Sequence, residues 1–99
     1  MGVHDETGIL RVGSKTPVDS LAGAIANAMY EGVPNLRMRA IGHGATGQAL
    51  KAAAIASGFV APRAMRLALI PGFEEITVPV TPDCPSGRTT AMVLRIISL

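Results

Sequence analysis

Aromatic side chains are nearly missing from this sequence: Tyr30, Phe59 and Phe73 are the whole set, and there is no tryptophan. That scarcity argues against the stacking platforms on which single-strand binders and RRM-type sheets lay out successive bases. Cysteine is scarcer still. Cys84 stands alone, so it has no intramolecular disulfide partner and no second thiol at metal-ligand spacing, which removes the case for an oxidising compartment or a zinc site. Long hydrophobic runs are also absent, because charges, Gly and Pro interrupt each apolar stretch before it could span a bilayer. The opening MGVHDETG has neither a basic n-region nor an apolar h-region, so no secretory leader is expected and a cytoplasmic home follows.

What is present suits one folded unit. Apolar residues make up 48% of the 99 positions and charged residues 16%, enough greasy surface to offset chain entropy without staples. The expected organisation is a flexible tail over residues 1–7 and a single domain over 8–99. Formal charge is +2, but two of the seven acidic residues, Asp5 and Glu6, fall in that tail. The remaining body sets nine basic residues against five acidic ones, a net of +4.

Periodicity orders the chain. Residues 9–14, Ile-Leu-Arg-Val-Gly-Ser, read as a strand, and Thr16-Pro17 as an N-cap followed by Pro at the first helical position, with Asp19 completing a weak capping box. Val18, Leu21, Ala22, Ile25, Ala28 and Met29 then mark one buried helical stripe ending at Glu31-Gly32. Leu36 to Ile41 alternates as a second strand, Gly42-His43-Gly44 breaks it, and Ala45 to Ala56 forms a small-residue helix closed by Gly58. In that helix Ala49, Leu50, Ala53 and Ile55 are available for packing. Met65 to Ile70 is a third strand, interrupted at Pro71-Gly72 and resumed over Glu74 to Val80 as a bent continuation or a hairpin arm. Arg88 to Ser98 is the last. The order β-α-β-α-β-β, with right-handed helical crossovers, predicts an α/β chain in the form of an α+β two-layer sandwich: two helices on one face of a four-stranded mixed sheet.

Two constellations carry charge. Parallel strands joined by right-handed crossovers bring the helix-entry loops Ser14-Lys15-Thr16 and Gly42-His43-Gly44 to the same sheet end, where free helix N–H groups and Lys15 would welcome phosphate. The competing reading is that the glycines only turn the chain and Thr16 only caps. Strand parity also sends Arg11, Arg37, Arg39, Arg66 and Arg95 to the face away from the helices, among Ile9, Ile41, Ala68, Ile70, Val93 and Ile97. That mixture suits nucleic acid or a subunit interface. Lys51 and Arg63 would extend the basic rim. No P-loop, catalytic triad or metal-ligand cluster is spelled out, so no catalytic residue, cofactor or metal is expected.

Two stretches, Val12-Gly-Ser-Lys-Thr-Pro-Val-Asp-Ser-Leu-Ala-Gly-Ala-Ile25 and Ala40-Ile-Gly-His-Gly-Ala-Thr-Gly-Gln-Ala-Leu-Lys-Ala-Ala-Ala-Ile-Ala-Ser-Gly-Phe-Val-Ala-Pro62, resemble the stage V sporulation protein S family. With Leu67 to Phe73 and the final strand, the likeness spans roughly residues 9–97. It departs at His43, where the family usually has a small residue, at Thr46-Gly47 in place of Leu-Asn, and in a longer loop around Cys84. The resemblance implies a bacterial, sporulation-related, non-enzymatic protein with an Alba-like fold. In Alba, a dimeric archaeal chromatin and RNA-binding protein, a lysine just after the first strand contacts nucleic acid, and Lys15 stands at that place here. Expected partners are therefore DNA or RNA and further copies of the chain, as a homodimer or higher homo-oligomer, with no membrane. The nucleic-acid residues expected are Ser14, Lys15, Thr16, Arg37, Arg39, His43, Lys51 and Arg63. The alternative is an assembly module that binds protein alone.

Overall fold

Alternation in the strands and the three-four repeat in the helices each demand a covered apolar face, and packing one against the other satisfies both. The computed structural model describes residues 8–99. Its elements are β1 (Ile9–Val12), α1 (Val18–Glu31), β2 (Arg37–Ala40), α2 (Gly42–Val60), a 3-10 turn (Ala61–Arg63), β3 (Leu67–Thr77) and β4 (Arg88–Ser98). The expected tail, residues 1–7, lies outside the described residues. The sheet order is β1-β2-β4-β3, with β1 parallel to β2 and the other two pairs antiparallel. This is the expected α+β arrangement of two helices and a four-stranded mixed sheet.

Strand parity holds throughout. Leu10, Val12, Met38, Leu94 and Ile96 are buried in one cluster with α1 residues Leu21, Ala22, Ile25, Ala28 and Met29, and Leu67 and Leu69 pack against it. Alanines 45, 49, 52, 53 and 56 bury the inner side of α2, and their short side chains let it lie close to its neighbours. Leu50 is the exception: it turns outward and is 50% exposed.

Several local readings need correction. Thr16 does not cap α1: its Oγ1 accepts the Gly13 N–H at 2.7 Å, while its own N–H donates to the Gly13 carbonyl at 3.1 Å. The hydroxyl is spent on the turn, so the helix starts one residue later, with Pro17 as N-cap and Leu21 N–H donating to the Pro17 carbonyl. No side-chain cap bond forms, so Asp19 contributes no capping-box bond and acts only as a charge in the first turn. At the other end Gly32 adopts φ 67, and the bonds from Gly32 N–H to Met29 and from Val33 N–H to Ala28 form a Schellman stop, as a terminal glycine should. α2 begins at Gly42 instead of Ala45, and β2 ends before Ile41.

Gly58 does not end α2. The fully buried Val60 carries the helix two residues further into the core, and Pro62 then shapes the 3-10 turn. The left-handed stop falls on Ala64, φ 60, whose N–H donates to the Ala61 carbonyl. Nor does Pro71 break its strand. β3 is an edge strand, so a missing N–H is tolerated there, and it pairs without interruption with β4 from Leu67↔Ser98 to Thr77↔Arg88. The outer part of this hairpin runs past the end of β2, which meets β4 only from Met92 to Arg95.

An alanine held at φ 60 is strained where glycine is not. Ala64→Gly is therefore expected to stabilise the chain by about 1 kcal/mol in urea denaturation, whereas Gly32→Ala should destabilise it by a similar amount.

Candidate nucleic-acid interface

The first question is whether the two helix-entry loops meet, and they do. A Cβ built on Gly44 would stand 2.9 Å from the Ser14 Cβ, closer than side-chain carbons approach. One turn along α2, Gln48 Nε2 donates to the Thr16 carbonyl at 2.8 Å and ties the second helix to the first loop. Gly44, Gln48 and Lys51 recur at i, i+4 and i+7, so they share one stripe of α2, and Lys51 follows the two contact residues on the same side. Ser14, Lys15, His43 and Lys51 are all exposed, and Thr16 is partly so.

The two helix starts differ electrically. α1 carries Asp19 in its first turn, whereas α2 has no acidic residue there and no side-chain cap. Its opening N–H groups and its positive end are left to solvent. Thr46 Oγ1 turns away from that role and donates back to the Gly42 carbonyl at 2.9 Å. Beside this start lies a hollow of about 160 Å³ lined by Gly42, His43, Thr46, Phe73, Thr90 and Met92. Phe73, which sequence reasoning set aside with the other aromatics, is 78% exposed at its rim. Only the pairing of β3 with β4 places it here, and nothing in the spacing of Pro71-Gly72-Phe73 announces that.

The remaining expected contacts lie elsewhere. Arg63 follows the far end of α2, about 30 Å from His43 at 1.5 Å per residue, and its guanidinium stacks 3.9 Å over the Tyr30 ring. Tyr30 in turn donates its hydroxyl to the Phe59 carbonyl at 2.8 Å, so this trio fastens α1 to the end of α2. Arg37 opens β2 at the end away from the loops and donates from Nη1 to the Asn35 carbonyl. Arg39 is held by Glu74, with Nη2 2.9 and 3.0 Å from the two carboxylate oxygens.

The arginine face forms as parity predicts: Arg11 stands beside Arg39 and Arg37 beside Arg95 in register. It is not fully open, however. Ile9 and Ala91 are buried yet lie outside the helix-side core, and the Arg39 side chain is only 21% exposed. The distal hairpin curls over this face, as a long twisted ribbon does, so that Ile76 and Thr77 of β3 line one cleft with Arg11 and Val12 of β1, three strands away in the sheet. Glu74 is the acidic partner that such an arginine cluster calls for, whereas Ile76 and Phe73 are the site-forming residues that the sequence hid.

Among the described residues no cluster of His, Cys, Asp or Glu could hold a metal, and no helix is long and apolar enough to cross a membrane.

If the approach of Gly44 to Ser14 sets the loop geometry, Gly44→Ala should cost about 1–3 kcal/mol by overpacking. Adding Ser14→Gly, which removes the colliding carbon, should recover most of that loss. Chemical denaturation of the two single variants and the double variant checks both statements.

The family model described as Stage V sporulation protein S matches residues 8–98, which takes in all seven elements. It is not a known enzyme family. The chain therefore belongs to the Stage V sporulation protein S family and is a sporulation-related protein.

Proposed function

We propose that this protein is a non-enzymatic nucleic-acid binder acting in the cytoplasm during sporulation, and that phosphates seat where Lys15 faces the uncapped start of α2. The observation that supports this reading is the Gly44–Ser14 approach, which brings the loop that carries Lys15 beside the uncapped start of α2. Lys51 extends the positive rim along α2. Such contacts recognise the backbone and carry no sequence information, so binding is sequence-tolerant. Phe73 adds one exposed ring near the phosphate seat, which favours a single-stranded partner whose unstacked base can lie on it. Arg63 and Arg37 play no direct part, being fastened to Tyr30 and Asn35 at the other end.

A second reading has its own observation. Leu50 lies half exposed on the outer side of α2, where a further copy of the chain or another protein would cover it. Light scattering on wild type and Leu50→Glu separates the two: loss of an oligomer with nucleic-acid binding intact assigns that helix face to assembly alone.

Fluorescently labelled single strands and duplexes titrated at two salt concentrations test the main proposal. Affinity should fall steeply with salt, and Lys15→Ala should reduce the slope of log K against log salt by about 0.7–0.9. Phe73→Ala should weaken single-strand binding by about 1–3 kcal/mol and leave duplex binding nearly unchanged. Salt-insensitive binding, or none at micromolar protein, would overturn the reading.

A further inference from the structure

The half of the outer sheet face that lies away from the helix-entry loops takes no part in the phosphate seat. Leu94 and Ile96 belong to the helix-side core and Leu67 and Leu69 pack against it, so the alternate residues of β3 and β4 face the other way. In register these are Ala68 beside Ile97, Ile70 beside Arg95 and Gly72 beside Val93. Parity puts Arg66, just before β3, on the same face. Arg66 and Arg95 are exposed and form no ion pair among the described residues. Ile70 is 47% exposed, and Ala68, Val93 and Ile97 are only partly buried. Gly72 adds an independent sign of a close neighbour. It sits inside an unbroken ladder and outside the left-handed region, so neither a bulge nor the backbone demands glycine there. A Cβ built on it would meet nothing within 4 Å, which leaves the sheet bare at that point, as it is where another chain comes close.

From these positions we infer that this half of the face docks an acidic amphipathic helix of a partner protein, its apolar stripe on Ile70, Ile97 and the bare Gly72 and its carboxylates on Arg66 and Arg95. Charge complementarity selects the occupant, since each guanidinium offers a carboxylate two parallel bonds. Spacing agrees. Arg95 is level with Ile70, four residues along from Arg66, or about 13 Å. A helix lying along the strands covers about 12 Å in two turns, so carboxylates two turns apart reach both arginines. Nucleic acid gains nothing from the aliphatic row between them. A flat membrane is kept off by the curled hairpin, whose Glu74 stands over the adjoining Arg39. A second copy of the same face would set arginine against arginine.

The test is fluorescence anisotropy of the full chain with a labelled helical peptide of about 18 residues, carrying leucines at i, i+3, i+4 and i+7 and glutamates two turns apart beside them. One control peptide has glutamine for glutamate, and another has the leucines shuffled off their common face. The first peptide should bind saturably and each control about tenfold or more weakly. Arg66→Glu and Arg95→Glu should each weaken it about tenfold, and a lysine-for-glutamate peptide should prefer the double variant to wild type. Gly72→Val suits a strand better than glycine, so it should leave the urea midpoint no lower and yet weaken the peptide by blocking its approach. That variant remains informative should a charge reversal unfold the chain. No saturable binding up to about 1 mM, equal binding of either control, or indifference to all three substitutions would each overturn the inference. So would loss of self-association, of single-stranded DNA binding or of binding to phosphatidylserine vesicles in Arg66→Glu and Arg95→Glu, since the face would then belong to another occupant. Peptide binding should survive Lys15→Ala, which keeps this inference separate from the nucleic-acid reading, and its loss there would count against this face.

Discussion

Two backbones can touch only where side chains are missing, and in this protein that condition is met along one side of α2. Gly44 lets the helix start rest against Ser14, and alanines at 45, 49, 52, 53 and 56 continue the close fit along the helix. Bulk at Gly44 would push the second helix entry away from the first, and Gln48 would lose its reach to the Thr16 carbonyl. The proposed phosphate seat depends on that approach, because a lysine and a helix terminus reinforce each other only at short range. The packing requirement and the geometry that the proposed seat needs are one and the same.

Much of this was legible in the sequence because period and parity are properties of the backbone. A single alternation rule placed Leu10, Met38 and Leu94 inside and sent Arg37 and Arg95 to the far face, where the register sets them side by side. Right-handed crossovers brought the two loops together without any knowledge of side-chain contacts. What misled was local chemistry with two outcomes. A threonine before proline can cap a helix or brace a turn, and the Gly13 N–H claimed the hydroxyl of Thr16. A glycine near a helix end can stop it or sit within it, and burial of Val60 overrode Gly58. Pro71 reads as a breaker until β3 proves to be an edge.

The curl of the hairpin was out of reach for a different reason. It depends on two eleven-residue strands outrunning their shorter neighbours β1 and β2, so that the outer half twists without a sheet to restrain it. Periodicity says which face Ile76 and Glu74 occupy but not how far that face bends. Yet the bend changes the chemistry most: it converts a flat ladder of arginines into a partly covered cleft and gives Arg39 a carboxylate partner from two strands away. Composition alone would have counted Arg39 as free charge.

Basic residues are unevenly matched with partners along this chain. Arg39 is paired with Glu74, Arg88 approaches Glu75 at 3.4 Å, and Arg63 is spent on an aromatic ring. Acidic partners are thus drawn to the hairpin, where β3 supplies two glutamates in succession, and none lies in the first turn of α2. Asp19 stands at the start of α1 and offsets the positive end of that helix, not of its neighbour. In the proposed function this asymmetry favours the start of α2, beside the loop that carries Lys15, over the start of α1 as the seat for an anion.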